Sequence, residues 1–267
     1  MKVIRIERAD LPRWQAELSA LEKLASYPIG NDRFQIDHGP DYFKFFERIG
    51  TLYYYATLED GKIVAVGAGM LRSAPMRAGE KPRRFWYGGD LKVHPEYRGK
   101  RFPLTMATRV FLPNFLRCRR GYAISMNPGD GSENRVVTNL TRFRWAPVHA
   151  GLTLELYSLD ADAMREAAPV VTEQRGPLSY LSLRGIKDIV LESTGAPMPL
   201  LHVQFGPFAA AGVPSPVQGH THMLCALRDD ELSKALGRLG HQPSATATIL
   251  HSGMSSSDFR FVLSSDI

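Results

Sequence analysis

The most constraining feature of this sequence is a strand–turn–helix junction near residue 100. Residues 83–93 read as a strand that contains Gly88-Gly89, and a basic turn follows, with the sequence LKVHPEYRGKRFPL at 91–104. A helix is predicted to begin at Leu104. A junction of this kind directs backbone N–H groups and the positive end of a helix toward one point, where a phosphate group is bound favourably. The sequence therefore predicts an anion site at this turn.

The turn resembles the acyl-CoA-binding loop of the GNAT superfamily of N-acetyltransferases, whose usual form is V-x-P-x-Y-R-G-K-G-x-G. The run VHPEYRGK at 93–100 matches the first part of this pattern, whereas Arg101 and Pro103 replace family glycines. The resemblance implies acetyl-CoA or another acyl-CoA as cofactor, with its pyrophosphate on the backbone amides of the turn. The residues that it implies for cofactor binding are Leu91, Val93, Arg98, Gly99, Lys100, Arg101, Phe102, Pro103 and Asn134.

The residues of the turn differ in what they bring to a phosphate. Gly99 permits a backbone conformation that other residues resist. Lys100 and Arg101 add charge-assisted contacts to phosphate oxygens. Pro103 has no N–H, so one donor of the family's loop is missing, although proline suits the first turn of a helix. A basic turn without a ligand is the alternative interpretation.

The resemblance also implies that the strands on either side of the turn splay apart, so that the pantetheine arm of the cofactor passes between them. Gly88-Gly89 suits a β-bulge that opens such a splay, although relief of crowding is an alternative reason for the two glycines. A bulge frees a backbone N–H to polarise the thioester carbonyl. The candidate donors are the amides of Asp90, Leu91 and Val93. Asn134 matches a family asparagine that contacts the pantetheine, and helix capping is its alternative role.

The chemistry of amide formation needs a proton acceptor for the amine and stabilisation of the tetrahedral oxyanion. Asp90 on the splayed strand is the first candidate for the general base, and His94 is the second, because an unperturbed imidazole titrates near neutrality. The tyrosine that serves many GNAT enzymes as general acid would fall at Leu140 or Thr141, so that role stays open.

The predicted elements before residue 160 follow the order β-α-α-β-β-β-α-β-α-β, which is the GNAT order. We predict an α+β fold, with a GNAT-like mixed, mostly antiparallel sheet flanked by helices, plus a small C-terminal β-α-β-β unit. The predicted division is a GNAT-like acyltransferase domain at 1–160, a connector with a short helix and strands at 161–217, and a small α/β unit at 218–267. That last unit either covers the acceptor cleft or forms a homodimer interface.

The sequence also predicts the N-caps of two helices, the end of a third helix and the position of the last strand. Asp10 is the expected N-cap of a helix over 11–24, and Ser132 the expected cap of a helix over 132–143. A helix over 160–168 is expected to end before Pro169. A strand is predicted at 258–263.

The composition limits the partners. The formal net charge is +6, with much of the excess between Arg72 and Arg144, so anionic partners are favoured. No helix-turn-helix, zinc or RNA-recognition motif supports nucleic acid. Cys118 and Cys225 are in no metal-ligand spacing and read as free thiols, so no metal site and a cytoplasmic location are expected. No apolar run reaches the length of a membrane span or of a signal peptide.

These observations favour an acyl-CoA-dependent N-acyltransferase that moves an acyl group, in the first instance acetyl, to a small amine acceptor by direct attack on the thioester. Two alternatives are kept. One is a long-chain N-acyltransferase whose donor is an acyl carrier protein, because aromatic residues are dense between Phe34 and Tyr55. The other is a non-catalytic GNAT scaffold that binds coenzyme A, because family glycines and the tyrosine are absent.

Overall fold

The computed structural model describes residues 2–75, 80–99, 109–110, 112–142 and 148–267. Four residues of the predicted phosphate loop, Lys100, Arg101, Phe102 and Pro103, lie outside these ranges. So does the predicted start of the following helix at Leu104.

Thirteen strands lie in the described part of the chain. They are β1 (Lys2–Ile6), β2 (Tyr27–Ile29), β3 (Asp32–Asp37), β4 (Thr51–Glu59), β5 (Lys62–Ala74), β6 (Arg83–Val93), β7 (Gly121–Met126), β8 (His149–Leu159), β9 (Leu178–Leu181), β10 (Asp188–Leu191), β11 (Leu200–Phe205), β12 (Thr221–Leu227) and β13 (Ala245–Ser252).

Six α-helices connect or cover these strands in the same ranges. They are α1 (Leu11–Glu22), α2 (Lys44–Ile49), α3 (Leu112–Arg117), α4 (Arg135–Thr141), α5 (Ala161–Arg175) and α6 (Glu231–Arg238). None of these helices is both long and apolar enough to cross a lipid bilayer.

Ten of the strands form one sheet, in the order β1-β4-β5-β6-β7-β13-β8-β12-β11-β9. Only the pairs β6–β7 and β11–β12 are parallel among its described neighbours. The prediction of a mixed, mostly antiparallel sheet flanked by helices is therefore confirmed.

The C-terminal strands belong to this same sheet. β13 lies between β7 and β8, and β12 pairs with the other edge of β8. The predicted ranges 1–160, 161–217 and 218–267 therefore do not correspond to separate sheets. The sequence pattern predicted β12 and β13 as strands but carried no information on which strands they pair with.

A second sheet of three strands, in the order β10-β3-β2, lies beside the first. Its β10 comes from the range predicted as a connector, and Asp188 pairs with Asp37 of β3. The turns next to this pair are in close contact, because a Cβ atom on Gly39 would lie 2.4 Å from the Gly185 carbonyl oxygen. Glycine is thus required at residue 39, and the turn before β10 is fixed against the end of β3.

The core has two main parts. Residues of α1, α2 and strands β4–β6 form the larger one, with Trp14, Phe43 and Tyr54 fully buried within it. The smaller one lies between β8, β11, β12 and the helices α5 and α6, where Met164, Val171 and Leu232 are buried. The long sheet is therefore covered along much of its length, and the cavity described below is lined by residues of the larger part.

Two predicted helix starts differ from the structure. Asp10 precedes α1 but its carboxylate accepts a hydrogen bond from the Glu7 backbone N–H, so it does not cap α1. Asn134 rather than Ser132 caps α4, since the Asn134 side chain accepts from the Val137 N–H. Residue 143, the last residue of the helix predicted over 132–143, and residues 144–147 after it lie outside the described ranges.

Two further elements were predicted wrongly. Helix α5 continues through Pro169 to Arg175, because Met164, Ala167 and Val171 pack on the sheet and this burial offsets the missing backbone hydrogen bond. The predicted strand at 258–263 is instead a short 3₁₀ helix, Phe259–Phe261, capped by the Asp258 side chain.

Candidate active site

The strands β6 and β7 are paired over only part of their length. Their parallel register covers Trp86 to Gly88 of β6 and Gly121 to Ala123 of β7. Both strands continue beyond this point, β6 to Val93 and β7 to Met126, without further pairing to each other. The two strands therefore splay apart after Gly88, as the resemblance implied.

A β-bulge lies in β6 at the point of the splay. Gly89 pairs with Ala68 and Lys92 with Val66, so that Asp90 and Leu91 both stand opposite Gly67. Asp90 has a φ of 54°, in the left-handed region that few residues other than glycine adopt. The bulge was predicted at Gly88-Gly89 and begins one residue later, because Asp90 takes the unusual conformation.

One large cavity, of about 1200 Å³, includes both edges of the splay in its wall. Gly89, Asp90 and Leu91 contribute from β6, and Ser125 and Met126 from β7. The wall also contains Tyr53, Tyr55, Trp86 and Phe34, so some of the dense aromatic residues line the cavity while Tyr42, Phe43 and Tyr54 are buried.

The hairpin of β2 and β3 covers part of this cavity. Its turn is joined to the loop before β13, because the Gly30 N–H donates a hydrogen bond of 2.6 Å to the Ser244 carbonyl. Pro28 packs against Gly129 in the loop after β7. The hairpin therefore spans the splayed end of the sheet, and the sequence pattern had not indicated either of its strands.

Asn134 lies at the cavity wall and at the start of α4. Its amide nitrogen is 3.1 Å from the Met126 carbonyl oxygen and 3.0 Å from Asn127 Oδ1, which it reaches as a donor. Its Oδ1 accepts from the Val137 N–H. Asn134 thus ties the end of β7 to α4. Its capping role is observed, and contact with a pantetheine arm stays a prediction.

Of the other described residues in the predicted cofactor loop, only some line the cavity. Leu91, which is 44% exposed, and Arg98 line the cavity, whereas Val93 packs with Val64 and Ala65 on the other side of the strand. Gly99 has a φ of 81°, which explains glycine at this position.

His94 does not share the cavity with Asp90. Its imidazole stacks edge-on with Tyr97, and its backbone N–H donates to the Val64 carbonyl. Of the two predicted candidates for the general base, Asp90 alone is in the cavity wall.

Asp90 belongs to a buried group that we call the carboxylate–lysine cluster, formed by Glu22, Asp90, Lys92, Tyr42 and Tyr54. The Lys92 ammonium contacts both carboxylates, at 2.7 Å from Glu22 Oε2. The Tyr42 hydroxyl donates to Glu22 and to Asp90, and the Tyr54 hydroxyl donates to Asp90. The Asp90 side chain is only 1% exposed as a result.

The charges of this cluster follow from its burial. Burial raises the pKa of Glu22 above its ordinary value, although Lys92 lowers it again in part. Burial alone would lower the pKa of Lys92, but Asp90 and Glu22 outweigh it and raise that pKa, so the ammonium keeps its proton. Burial lowers the pKa of the neighbouring His38 to about 3, so its imidazole is neutral.

Glu22, His38 and Asp90 each bring a potential metal-ligating atom within 4.8 Å of one another. Lys92 Nζ contacts both carboxylates of this group. A cation of the protein itself therefore neutralises them, and these residues do not fit a metal ion.

A second group, the arginine–aspartate cluster, consists of Arg72 and Asp266, which are largely buried, and Arg48, whose side chain is 31% exposed. Arg72 donates to Asp266 Oδ2 at 2.7 Å, and Arg48 donates to the Ser265 carbonyl at 2.6 Å and lies 3.4 Å from Asp266 Oδ1. Asp266 is also part of the cavity wall. Two cations thus share one carboxylate at this end of the cavity.

Lys187 lies in the wall between these clusters, just before β10, and is 6% exposed. Its Nζ forms no hydrogen bond or ion pair with any residue in the described ranges, and it lies 4.4 Å from the centre of the Phe45 ring. Burial lowers the pKa of Lys187 to about 7, with Lys92 and Arg48 acting in the same direction and Glu22 and Asp266 opposing them.

Sequence reasoning missed Lys187, Glu22 and Asp266. No local motif surrounds any of the three, and they come from α1, the turn before β10 and the C-terminal residues. Only their meeting in the folded chain shows that they belong to one site.

A mixed sheet whose two parallel strands splay beside a bulge defines the fold of the GNAT acetyltransferases. The chain matches no protein-family model and no curated protein. Among solved structures it is similar to a tandem GNAT protein from the clavulanic acid biosynthesis pathway, in the form without acetyl-CoA. That similarity has 12% sequence identity and a TM-score of 0.52, and it covers 94% of this chain and 98% of that one. It shows that the chain has the GNAT fold.

Two other solved structures are similar at lower scores. A proposed acetyltransferase from Thermoplasma acidophilum has 16% identity and a TM-score of 0.44, and the match covers 94% of this chain and 99% of that one. The protein AAC(6')-Iy, in complex with the bisubstrate analogue CoA-S-monomethyl-acetylneamine, has 12% identity and a TM-score of 0.36 over 53% of this chain and 86% of its own.

Proposed function

We propose that this protein is an acyl-CoA-dependent N-acyltransferase. The observation that carries the proposal is the splay of β6 and β7 after Gly88. A bulge at Asp90 and Leu91 lies beside it, and residues of both strand edges line a cavity of about 1200 Å³. A slot of this shape suits an extended pantetheine arm. The GNAT fold and the partial phosphate-loop pattern before residue 100 support the same donor.

The reaction that fits the site is direct aminolysis of a thioester. The neutral amine attacks the thioester carbonyl carbon, a C–N bond forms, and the C–S bond breaks. The proton that the amine loses leaves through a base, and the thiolate of the donor takes up a proton. Backbone amides in the bulge, among them those of Asp90 and Leu91, are the proposed donors to the oxyanion.

Asp90 is the proposed base of this reaction, because it stands at the bulge and lines the cavity. His94 is less suited, since its ring packs against Tyr97 and is not in the cavity wall. The Tyr42 and Tyr54 hydroxyls that donate to Asp90 hold the carboxylate in place. General acid–base catalysis by one positioned side chain contributes about 10²- to 10⁴-fold to a rate.

A longer acyl donor is the second candidate, and the size of the cavity favours it. The volume exceeds the roughly 300–1,000 Å³ of ordinary small-molecule pockets, and aromatic rings such as Tyr53, Tyr55 and Trp86 line it. These features suit a long-chain acyl group, carried either by coenzyme A or by an acyl carrier protein.

The test is isothermal titration of the purified protein with acetyl-CoA and with a long-chain acyl-CoA, followed by an assay of thiol release with a panel of amines. Micromolar binding of acetyl-CoA supports the first donor. Binding of the long-chain form alone supports the second, and an acyl carrier protein is then tested as donor. Binding of neither form contradicts the proposed function.

Gly99→Glu and Gly61→Glu provide a matched pair for this titration. Both glycines have a positive φ, of 81° and 78°, and a Cβ atom at either position meets no described residue within 4 Å. The strain and the added charge are therefore alike, but Gly61 lies in the hairpin between β4 and β5. We expect the Gly99 variant alone to lose binding, because the new carboxylate repels the phosphates.

A further inference from the structure

The cavity wall contains a lysine that the chemistry proposed above does not use. Lys187 is 6% exposed, and its Nζ lies over the face of the Phe45 ring without a hydrogen bond or ion pair to any residue in the described part of the chain. A buried ammonium without a carboxylate costs free energy, so proteins seldom keep one unless it binds something. Asp90, Lys92 and Asp266, which line the same cavity, each have a partner of opposite charge.

The charges around Lys187 do not balance. The carboxylate–lysine cluster, the arginine–aspartate cluster and Lys187 together contain more cations than carboxylates. The cations are Arg48, Arg72, Lys92 and Lys187, and the carboxylates are Glu22, Asp90 and Asp266. The set thus has one more cationic group than carboxylates, and Lys187 is its only member without an ion-pair partner among the described residues. One carboxylate from a ligand would complete the pairing.

The position of Lys187 is fixed by the fold. The turn before β10 is held against the end of β3 by the contact between Gly39 and Gly185, and Lys187 N–H donates to the Leu183 carbonyl at 2.9 Å. The Nζ is therefore held at the cavity wall, and a binding group held in this way loses little entropy when a ligand arrives.

We propose that Lys187 binds a carboxylate of the acceptor, so that the substrate class of this site is amines that also carry a carboxylate, such as amino acids. This inference rests on the proposed function, because it assigns the acceptor of that reaction. The cavity supplies the geometry: it runs from the bulge at Asp90 to Lys187, so the amine can lie near the bulge while the carboxylate lies at Nζ.

Proton uptake is a further consequence. With a pKa of about 7, Lys187 is only partly charged at neutral pH, and a carboxylate beside it favours the ammonium form. Six titratable or charged groups also act on Lys187 or lie beside it: Glu22, His38, Arg48, Lys92, His202 and Asp266. Carboxylate binding should therefore take up protons from the buffer near pH 7.5.

The test compares L-amino acids with amines that have the same side chain but lack the α-carboxylate, using acyl-CoA as donor and thiol release as the readout. We expect the wild-type protein to prefer the amino acids, and Lys187→Met to lower their kcat/KM by about 10- to 100-fold, the value of a hydrogen bond to a charged group. The matched amines should change little. Lys234→Met, at an exposed lysine of α6, is the control variant.

Four results would overturn the inference while the proposed function stands. The first is equal use of matched amines by the wild-type protein, and the second is a carboxylate preference that survives in Lys187→Met. The third is equal loss of activity with all acceptors in that variant, which would instead make Lys187 a base. The fourth is an enzyme that binds acyl-CoA but neither binds nor acylates any carboxylate-bearing amine. Failure to bind any acyl-CoA contradicts the proposed function, and the inference then fails with it.

Discussion

Lys92 Nζ lies 2.7 Å from Glu22 Oε2, and this buried ion pair joins helix α1 to the bulged strand β6. The same ammonium contacts Asp90, whose backbone forms the bulge. One cation thus forms ion pairs with two carboxylates beside the bulge. The conformation of the bulge therefore depends on a helix near the N-terminus as well as on the strand itself.

Loss of that cation should destabilise the protein in a pH-dependent way. Lys92→Met leaves two buried carboxylates unpaired, and we expect the free energy of unfolding to fall by about 3–5 kcal/mol at neutral pH. Without Lys92 the pKa of Glu22 rises further above its unfolded value. The variant is then most stable below that unfolded value and loses stability as the pH rises through the folded-state pKa. Urea unfolding at pH 5 and pH 7.5 measures the difference.

The double variant Lys92→Met/Glu22→Gln is the control for this prediction. It removes one of the unpaired carboxylates, so it should be more stable at neutral pH than Lys92→Met alone. If Lys92→Met lowers the free energy of unfolding by the same amount at pH 5 and at pH 7.5, the ion-pair explanation is contradicted.

Local chemistry was enough to predict much of the N-terminal sheet. The run Glu59-Asp60-Gly61 between β4 and β5 is typical of a hairpin turn, and Asp60 and Gly61 both have positive φ. Strand β6 has the predicted bounds. These features were predictable because turn residues and alternation act within a few positions of the chain. The splay is also present where the glycines indicated it.

The acceptor side of the cavity was not predictable in this way. Lys187 meets Phe45 only because β10 pairs with β3, 150 residues earlier in sequence, and no local pattern specifies that pairing. The insertion of β13 between β7 and β8 is likewise a long-range choice. Periodicity identifies strands but does not identify their neighbours, so the site that depends on those neighbours had to be seen in the structure.

Substitutions of Asn134 should distinguish its role as the cap of α4 from its role in holding the end of β7. Asn134→Asp keeps the oxygen that accepts from the Val137 N–H but loses the amide donor to the Met126 carbonyl. Asn134→Ala loses both, and we expect it to cost about 1–2 kcal/mol of stability. We expect acyl-CoA binding to weaken in both variants, because the end of β7 is released in each. Unfolding and titration calorimetry measure the two effects, and unchanged binding in Asn134→Asp would exclude the second role.

Substitution of Asp90 should lower the turnover number much more than substitution of His94. If Asp90 is the base, Asp90→Asn lowers kcat by about 10²-fold or more. His94→Gln should keep most of the activity, because His94 lies outside the cavity wall. Acyl-CoA affinity serves as the folding control for both variants. Activity that is lost in His94→Gln and kept in Asp90→Asn would reverse the assignment.

Lys187 should reduce the stability of the protein, by an amount that depends on pH. Its folded-state pKa of about 7 lies below the unfolded value of roughly 10.4. Between these values the unfolded chain holds more protons, so wild-type stability rises with pH across that window. Lys187→Met has no such cost. We therefore expect the free energy of unfolding of Lys187→Met to exceed that of the wild type by a few kcal/mol at pH 7. The two values should converge near pH 10, as measured by urea unfolding. A variant less stable than the wild type at pH 7 would show that the ammonium has a stabilising partner.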